Sequence, residues 1–323
     1  MQRQSNIGPA VRALLIAGLS AGAGLAQAQS APVMKWIVPY PPGGVTDQVS
    51  RFMADRMTKA LGQTIVIENR PGAGSRIGTD AVAKGPTDGN TLLFTNSNFS
   101  FLVITNPKAP LDPVKALAPV SLLATYGVPI ISSNSIPAST LQEFVDYAKK
   151  NPGKLSYGSA GIGSAVHFFG EYFKILTGTS MEHVPYKSTS EALTAVVRGE
   201  LAMAFDATAK PMIDDGRVKL LAVTSRTRDP RFPKTPTALE AGLKDFVLES
   251  WQGILAPTGT PQPAIERVTR AANAVLAEPD IQKRYAELGM VTEGGAATQL
   301  SKVVNDEIRM YQGIARQAKI QFD

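Results

Sequence analysis

Short apolar runs alternate with helical patterns from about residue 35 onward, and this alternation restricts the fold more than any other feature of the chain. Residues 35–39 (KWIVP) predict a first strand, which a Pro/Gly loop at 40–45 follows. Residues 46–61 then carry apolar side chains at three- and four-residue spacing, which predicts a helix with one buried face. Further strands are predicted at 64–68 and 91–95, with a helix at 77–84. Strands and helices in this order predict βαβ units and a mostly parallel sheet.

The same order of elements repeats farther along the chain, which predicts a second lobe. This lobe begins with a helix capped by Ser139 or Thr140. Its other predicted elements are strands at 155–158, 181–185, 203–205 and 220–224 and helices ending at residues 176 and 198. The pattern therefore predicts two α/β lobes, each a mostly parallel sheet flanked by helices.

Two crossings join these lobes. Strands at 119–124 and 128–132 form the first crossing, and a strand at 246–256 returns to the first lobe before three C-terminal helices. We therefore expect a discontinuous first lobe, 29–129 plus 251–323, with a second lobe, 130–250, inserted into it. Lobes joined by two or more strands have the geometry of a hinge.

The N-terminus has the three parts of a secretory signal peptide. Arg3 and Arg12 precede an apolar run at 13–25, and Ala26-Gln27-Ala28 provides a small-x-small cleavage site. The alternative is a membrane anchor, but the run of about 13 residues is shorter than the roughly 20 that span a bilayer. We expect residues 1–28 to be removed and the mature chain, which has no later long apolar stretch, to be periplasmic.

Composition and motifs argue against most enzymes and cofactors. The chain has no cysteine and only two histidines, His167 and His183, so we expect no metal site. Its formal charge of +6 is spread along the sequence, which does not favour nucleic-acid binding but suits a small anionic ligand. A nucleotide site at Gly161 and Gly163 is disfavoured because Val166 occupies the third glycine position. We predict a monomeric, non-enzymatic protein without cofactors.

The strongest local signal is the first glycine loop, residues 40–47 (YPPGGVTD), between a strand and a helix. Glycines let the backbone approach a ligand, and the N–H groups at a helix start attract carboxylates. Thr46 or Asp47 is expected to cap the helix; the alternative is an ordinary capped turn. The candidate ligand-binding residues are Tyr40, Pro42, Gly43, Gly44, Thr46 and Asp47.

The second glycine loop, residues 158–164 (GSAGIGS), has the same position in the second lobe. If the two loops face each other, each can hold one end of a dicarboxylate. His167 lies one turn inside the following helix, where it either reaches the ligand or is a packed, hydrogen-bonded residue. The candidate residues here are Ser159, Ala160, Gly161, Ser164 and His167.

Other candidates follow predicted strands, at the end where ligands of open α/β sheets gather. Thr95, Asn96 and Ser97 belong to the first lobe and Asp206 to the second. A carboxylate at Asp206 repels an anion unless it orients water or a protonated group, and capping the next segment is the alternative role. Trp251 either forms the floor of the binding pocket or packs between the lobes.

Five segments resemble the solute receptors of tripartite tricarboxylate transporters, the Bug family. They are WIVPYPPGGVTD (36–47), IVIENRPGAGSRIGTDAVAKGPTDGNTLLF (65–94), YGSAGIGSAVHFFGEYFK (157–174), VPYKSTSEALTAVVRGEL (184–201) and WQGILAPTGTP (251–261). The resemblance implies a periplasmic-binding-protein-like fold that closes on organic acids. It implies that Pro42, Gly43, Gly44 and Thr46 hold a carboxylate through amides and water, with the second loop opposite.

The sequence departs from the family pattern at Val45, Ser188 and the pair Ser75-Arg76. Arg76 either contacts a second carboxylate or is a solvated loop residue. The resemblance implies a receptor that delivers a mono- or dicarboxylate, possibly aromatic, to membrane transporter subunits. The alternatives are a sensory receptor for a two-component kinase and an exported hydrolase, for which no nucleophile with a presenting elbow is found.

Overall fold

A computed structural model of the protein describes residues 33–105 and 109–320. The predicted signal peptide at 1–28 lies outside these residues. The structure contains two β-sheets, each flanked by helices, so the predicted two-lobed α/β fold is confirmed. No helix in the described part of the chain combines the length and apolarity that crossing a membrane requires.

The first part of the chain forms most of the first sheet. Its elements are β1 (Met34–Val38), α1 (Val45–Leu61), β2 (Ile65–Asn69), a short 3-10 turn (Ala73–Ser75), α2 (Arg76–Ala83), β3 (Thr91–Asn96), α3 (Asn98–Thr105), α4 (Pro113–Ala116) and β4 (Leu117–Tyr126). Helix α1 forms because Val49, Phe52, Met53 and Met57 recur on one buried face. It ends at Gly62, whose left-handed φ of 61° closes the last turn.

The middle of the chain forms the second sheet. Its elements are β5 (Pro129–Ser133), α5 (Leu141–Lys150), β6 (Leu155–Ser159), α6 (Ala165–Thr177), β7 (Met181–Pro185), α7 (Thr189–Arg198), β8 (Met203–Phe205), α8 (Lys210–Asp214) and β9 (Val218–Val223). Of the two predicted caps for α5, Thr140 is the one used, in a capping box with Glu143.

The last part of the chain returns to the first sheet. It contains β10 (Ser250–Pro257), α9 (Gln262–Leu276), α10 (Pro279–Glu287), β11 (Val291–Thr292) and α11 (Ala297–Gln317). The three predicted C-terminal helices are confirmed. The returning strand begins at Ser250, later than the predicted 246.

Both sheets are mixed, which corrects the expectation that each sheet is mostly parallel. The antiparallel pairs occur at the strands that carry the chain between the sheets. The strand orders are β11-β4-β10-β3-β1-β2 and β7-β6-β8-β5-β9. Strand β1 is parallel to β2 and β3, and β6 is parallel to β7 and β8. Strands β4, β5, β9 and β10 pair antiparallel with their neighbours because they carry the chain between the sheets. The parallel strands place their carboxyl ends, and the loops that follow, at one edge of each sheet.

The crossing segments lie side by side. The Val128 amide donates to Thr224 Oγ1 at 2.9 Å, and the Thr224 hydroxyl donates to the Leu248 carbonyl at 2.6 Å. A Cβ atom at Gly127 would clash with Ser225, so glycine allows this close approach. Three segments, at Val128, Thr224 and Leu248, are therefore hydrogen-bonded to one another where the chain passes between the lobes.

Helix α3 was not predicted from the sequence, and it contributes to contacts between the lobes. Its Phe101 ring lies 5.5 Å from Phe168 of α6 and 4.7 Å from Tyr311 of α11, measured between centroids. The segment is a short and nearly continuous apolar run, which does not distinguish a buried helix from a buried strand. An aromatic cluster thus joins helices that flank both sheets.

Candidate functional site

Both glycine loops lie between the carboxyl end of a parallel strand and the start of a helix. The first loop leads from β1 into α1, whose N-cap is Gly44, and the second leads from β6 into α6, whose N-cap is Ser164. Gly43 and Gly161 have φ angles of 85° and 102°, which favour glycine. The expected Thr46 or Asp47 cap is wrong, because both residues lie inside the first turn of α1. The first N–H groups of a helix have no partner one turn earlier; α1 has no side-chain cap for them, whereas in α6 the His167 amide donates to the N-cap Ser164.

Four predicted residues of the first lobe form one hydrogen-bonded network. The Tyr40 hydroxyl donates to Asn96 Oδ1 at 2.7 Å and shares a 3.0 Å hydrogen bond with Thr95. The Asn96 amide donates to Thr46 Oγ1 at 2.9 Å. Burial raises the pKa of Tyr40 well above its ordinary value, so the hydroxyl stays protonated. The network fixes the first glycine loop against the end of β3.

Asp47 lies behind the first glycine loop. Its carboxylate accepts hydrogen bonds of 2.9 Å from the Gly43 amide, Arg51 Nε and Asn69 Nδ2. Burial opposes ionisation of Asp47, but the hydrogen bonds from Arg51, Gly43 and Asn69 lower its pKa. The Gly43 amide is therefore already occupied, and Pro42, Gly43 and Gly44 present an exposed surface ahead of the amides that open α1.

Ser97 lies apart from this network, although it is buried. Its amide donates to the Trp251 carbonyl at 3.2 Å, and its carbonyl accepts from the Ser100 amide at 3.0 Å. Trp251 itself packs in the first lobe near Phe99 and donates from Nε1 to Glu307 at 2.7 Å. The expected packing of Trp251 between the lobes is therefore wrong, because its apolar cluster belongs to the first sheet and its helices.

The second glycine loop is held by serine hydroxyls and histidine rings. Ser159 Oγ accepts from the Gly161 amide at 3.1 Å and lies 2.7 Å from His183 Nε2. The Ser164 hydroxyl donates to the Gly161 carbonyl at 2.7 Å, and His167 Nδ1 accepts from the Gly163 amide at 3.1 Å. The two imidazole rings stack with centroids 4.0 Å apart. Sequence reasoning missed His183, which reaches the loop from the neighbouring strand β7.

Both histidines are neutral at neutral pH. Burial lowers the pKa of His183 to about 4, with the neighbouring His167 as a second cause, and burial also lowers the pKa of His167. Because His167 Nδ1 accepts a hydrogen bond, its neutral ring carries the proton on Nε2. His167 is 6% exposed, so the structure places it in the packed, hydrogen-bonded position that was its alternative role.

Asp206 is 1% exposed at the end of β8. Its Oδ1 accepts from both the amide and the hydroxyl of Thr208, at 2.6 Å each. Asp206 thus holds the turn at Thr208, but it does not cap the next helix, α8, whose N-cap is Ala209 without a side-chain cap. Its other oxygen, Oδ2, is buried without a hydrogen-bond partner among the described residues. A buried carboxylate oxygen in this state calls for a donor from water or a ligand.

Two cavities draw their walls from both lobes. The apolar cavity, about 440 Å³, is lined by Ala73, Gly74, Asn98, Phe101, Leu102 and Thr105 of the first lobe and by Ala160, Gly163, Ser164, Ala165, Val166 and Thr189 of the second. The charged cavity, about 700 Å³, includes Val45, Ala207, Thr208, Lys210 and Arg231. Predicted residues Ala160 and Ser164 therefore border an interlobe space directly. The α3 residues and the 3-10 turn were missed; positive φ angles at Ala73 and Ser75 mark that turn as unusual.

Arg76 is held inside the first lobe. It donates to the carbonyls of Leu111 and Leu102 at 3.0 and 2.9 Å. Its expected role as a solvated loop residue is therefore wrong, and its guanidinium is committed to two backbone acceptors. No cluster of histidine and acidic side chains suited to a metal ion occurs in residues 33–105 or 109–320.

Comparison with known proteins gives a consistent result. Residues 49–320 match the model of the tripartite tricarboxylate transporter family receptor. The chain is 32% identical to the periplasmic binding protein BugD, with 90% of this chain and 99% of BugD covered and a TM-score of 0.70. It is 30% identical to Rpa4515 of R. palustris, solved with adipate, with 89% and 97% covered and a TM-score of 0.73.

A further similar structure is MatC from Rhodopseudomonas palustris with bound malate. It is 32% identical to this chain, with 87% of this chain and 98% of MatC covered and a TM-score of 0.69. The matched family is one of receptors and BugD is a binding protein, in agreement with the prediction of a non-enzymatic protein.

Proposed function

Since the chain belongs to the tripartite tricarboxylate transporter family of receptors, we propose that it captures a small organic carboxylate between its lobes and delivers it to a membrane transporter. The observation that carries this proposal is the pair of glycine loops, each at a strand end and each opening a helix. Unpaired N–H groups at helix starts stabilise anions. Adipate and malate in two structural neighbours support a carboxylate as the ligand class.

The proposed binding residues are those that present amides and hydroxyls from the two loops. Gly44, Thr46, Gly161 and Ser164 contribute directly, with Pro42 and Ala160 shaping the surface. Tyr40, Thr95, Asn96 and Ser159 position the loops through the hydrogen bonds described above. Asp206 directs its unpartnered Oδ2 toward a water or a ligand hydroxyl.

Binding is proposed to proceed by closure of the lobes, taken as 29–129 plus 251–323 and 130–250. The crossing segments near Val128 and Leu248, which Thr224 joins through hydrogen bonds, serve as the hinge. A carboxylate that contacts both loops binds the closed form more tightly than the open form and so shifts the population toward closure. The closed form then docks on the transporter. Residues 1–28 direct export to the periplasm and are removed.

Calorimetry against a panel of acids tests the ligand class. We expect at least one of hexanoate, benzoate, adipate and malate to release heat and raise Tm, whereas matched neutral compounds such as 1-hexanol and 1,6-hexanediol have no effect. If no acid gives heat and none raises Tm, carboxylate capture is refuted.

Mass spectrometry of protein exported by a Gram-negative host checks the N-terminus, which we expect at Gln29.

Uptake in the native host tests delivery to a transporter. Deleting the gene is expected to abolish uptake of the labelled acid that binds in vitro, and the full chain supplied in trans is expected to restore it. Unchanged uptake together with a lost transcriptional response to the acid would contradict transport and favour the sensory role.

A further inference from the structure

A third cavity, which we call the crossing cavity, lies where the chain passes between the lobes. Its volume is about 480 Å³, which is within the range of small-molecule sites. Its walls include Thr125 near the end of β4, Arg226 after β9 and Glu249 just before β10, together with one face of α11. None of its described lining residues also lines the apolar or the charged cavity, so it is separate from both.

The face of α11 that borders the crossing cavity is apolar except for one buried acid. Val303, Glu307 and Met310 line the cavity at four- and three-residue spacing, so they share one face of the helix. Val303 and Met310 are half-buried, and Val247 of the crossing segment adds a third half-buried apolar side chain. Covering such a surface with an alkyl or aryl group is favourable.

Glu307 uses one of its carboxylate oxygens and leaves the other without a partner. Its Oε2 accepts from Trp251 Nε1 and from the Ser100 hydroxyl. Its Oε1 has no hydrogen-bond partner among the described residues, and the residue is only 6% exposed. Burial raises the pKa of Glu307 to about 7 in spite of the two hydrogen bonds, and both donors are uncharged. The protein therefore compensates the negative charge of Glu307 poorly.

The other charged side chains of the crossing cavity are paired with one another. Arg226 Nε lies 3.6 Å from Glu249, and Lys302 forms an ion pair with Asp306. Glu307 is thus the one acid of this cavity without a cationic partner among the described residues. A buried carboxylate oxygen in this state needs a hydrogen-bond donor, and a positively charged donor also compensates its charge.

We propose that the crossing cavity is a second binding site, for a small organic cation whose primary ammonium group donates to Glu307 Oε1 and whose alkyl or aryl body lies against Val303 and Met310. The site does not depend on the proposed capture of a carboxylate. None of the described residues that line it belongs to a glycine loop, and its ligand has the opposite charge.

Calorimetry with three compounds of similar shape tests the ligand class at pH 8, where Glu307 is ionised and a primary amine is protonated. Benzylammonium is expected to bind at least tenfold more tightly than benzyl alcohol, which lacks the charge. It is expected to exceed benzyltrimethylammonium by the same factor, because that cation has no N–H donor. Equal affinities for the three compounds, or no binding of benzylammonium, would overturn the proposal and leave the receptor function standing.

Glu307→Gln tests where the ammonium group lies. The variant keeps an acceptor for Trp251 and Ser100 but removes the charge, so its affinity for benzylammonium is expected to fall at least tenfold. Glu287→Gln is the matched control, because Glu287 is an exposed acid that lines the charged cavity, and we expect it to leave this affinity unchanged. An equal loss in the two variants, or no loss in either, would overturn the proposal.

Val303→Phe tests where the body of the cation lies. It leaves the Glu307 carboxylate in place but narrows the crossing cavity, so benzylammonium is expected to bind at least tenfold more weakly. Val66→Phe adds the same bulk to an exposed valine outside the cavity and should bind benzylammonium as the parent protein does. Urea unfolding checks that each variant is folded. Undiminished binding by folded Val303→Phe would place the cation elsewhere, and the proposal would be wrong.

Discussion

The first glycine loop is stabilised by an ionised carboxylate, whereas the second is stabilised by neutral imidazole rings. In the first loop the Asp47 carboxylate accepts from the Gly43 amide and is paired with Arg51. In the second loop His167 Nδ1 accepts from the Gly163 amide, and His167 stacks on His183. Two loops with the same strand-to-helix geometry therefore differ in charge and in their response to pH. We therefore expect different effects on stability when the carboxylate of the first loop or the imidazole pair of the second loop is removed.

The largest expected effect is the loss of the carboxylate at residue 47. Asp47→Asn replaces one acceptor oxygen by a donor that faces the Gly43 amide, Arg51 or Asn69. A buried donor left without its charged partner costs about 2–3 kcal/mol, so the free energy of unfolding is expected to fall by that amount. Urea unfolding measures it.

Asp55→Asn is the matched control for this variant. Asp55 lies on the same helix but is exposed, with Lys59 3.9 Å away. Its replacement is expected to leave stability unchanged within about 0.5 kcal/mol. Equal unfolding curves for the two variants would show that Asp47 does not hold the first loop.

The second loop is expected to show the larger pH dependence between about pH 6.5 and 4. Burial lowers the pKa of folded His183 to about 4 from an ordinary 6.5, so in this range the unfolded chain binds a proton that the folded chain does not. Stability from His183 is therefore fully present above pH 6.5 and is lost as pH falls toward 4. Tyr157, His167, Glu171 and Lys174 face the ring; Glu171 opposes the shift and Lys174 adds to it.

His183→Gln removes this titration and isolates its contribution. Urea unfolding from pH 4 to 7 is expected to give a shallower rise of stability with pH in the variant, by about 1–2 kcal/mol over the range after allowance for solvent screening. If stability changes with pH equally in the two proteins, the stacked histidine pair is not the source of the pH dependence. Asp47, with a lowered pKa, titrates equally in both proteins and so cancels in the difference.

Glycine replacements compare the two loops as binding elements. Helices α1 and α6 each have a glycine of positive φ in the loop before them, Gly43 or Gly161, and another just after them, Gly62 or Gly178. An added Cβ meets nothing within 4 Å at three of these sites and only the Tyr186 carbonyl, at 3.7 Å, beside Gly161. Each change to alanine is therefore expected to cost about 1 kcal/mol of backbone strain.

Only the loop replacements are expected to weaken ligand binding. Calorimetry with the panel acid that the parent protein binds most tightly should show about a tenfold loss of affinity for Gly43→Ala and Gly161→Ala, because a Cβ obstructs the backbone approach. The controls, Gly62→Ala and Gly178→Ala, should bind that acid as the parent protein does. A loss at one loop alone would show that the ligand contacts that loop and not the other.

The sequence predicted the two loops but not what stabilises them. Strand and helix periodicity and the glycine spacing are local, so the loop positions and the helices after them are confirmed by the fold. Asp47 was expected to be a cap or a ligand contact. Its actual role was not predicted, because its partner Asn69 lies on β2 and comes close only through the pairing of the strands. His183 was missed for the same reason, since the parallel register of Tyr157 with His183 brings it beside the loop. Which polar residues meet is set by strand register, which a single sequence does not encode locally.

The smallest expected effect on stability comes from Arg51→Gln. This change removes the ion pair of the first loop and leaves the other hydrogen bonds to Asp47 in place. The Arg51 side chain is 52% exposed, whereas that of Asp47 is 3% exposed. Arg51→Gln leaves Asp47 with the Gly43 and Asn69 donors, so the free energy of unfolding is expected to fall by only about 0.5–1 kcal/mol. Because an exposed pair is screened by salt, the difference should shrink further in 1 M NaCl, where the Debye length is about 3 Å.

Lys59→Gln, which removes an exposed cation elsewhere on α1, is the control for this change of charge. A loss at Arg51 as large as that of Asp47→Asn, and insensitive to salt, would mean that the guanidinium is the principal support of the loop. The smaller, salt-sensitive loss that we expect assigns that role to the buried carboxylate and its amide donors. The first loop would then resemble the second in depending on a buried acceptor for a glycine amide, and differ from it in the charge of that acceptor.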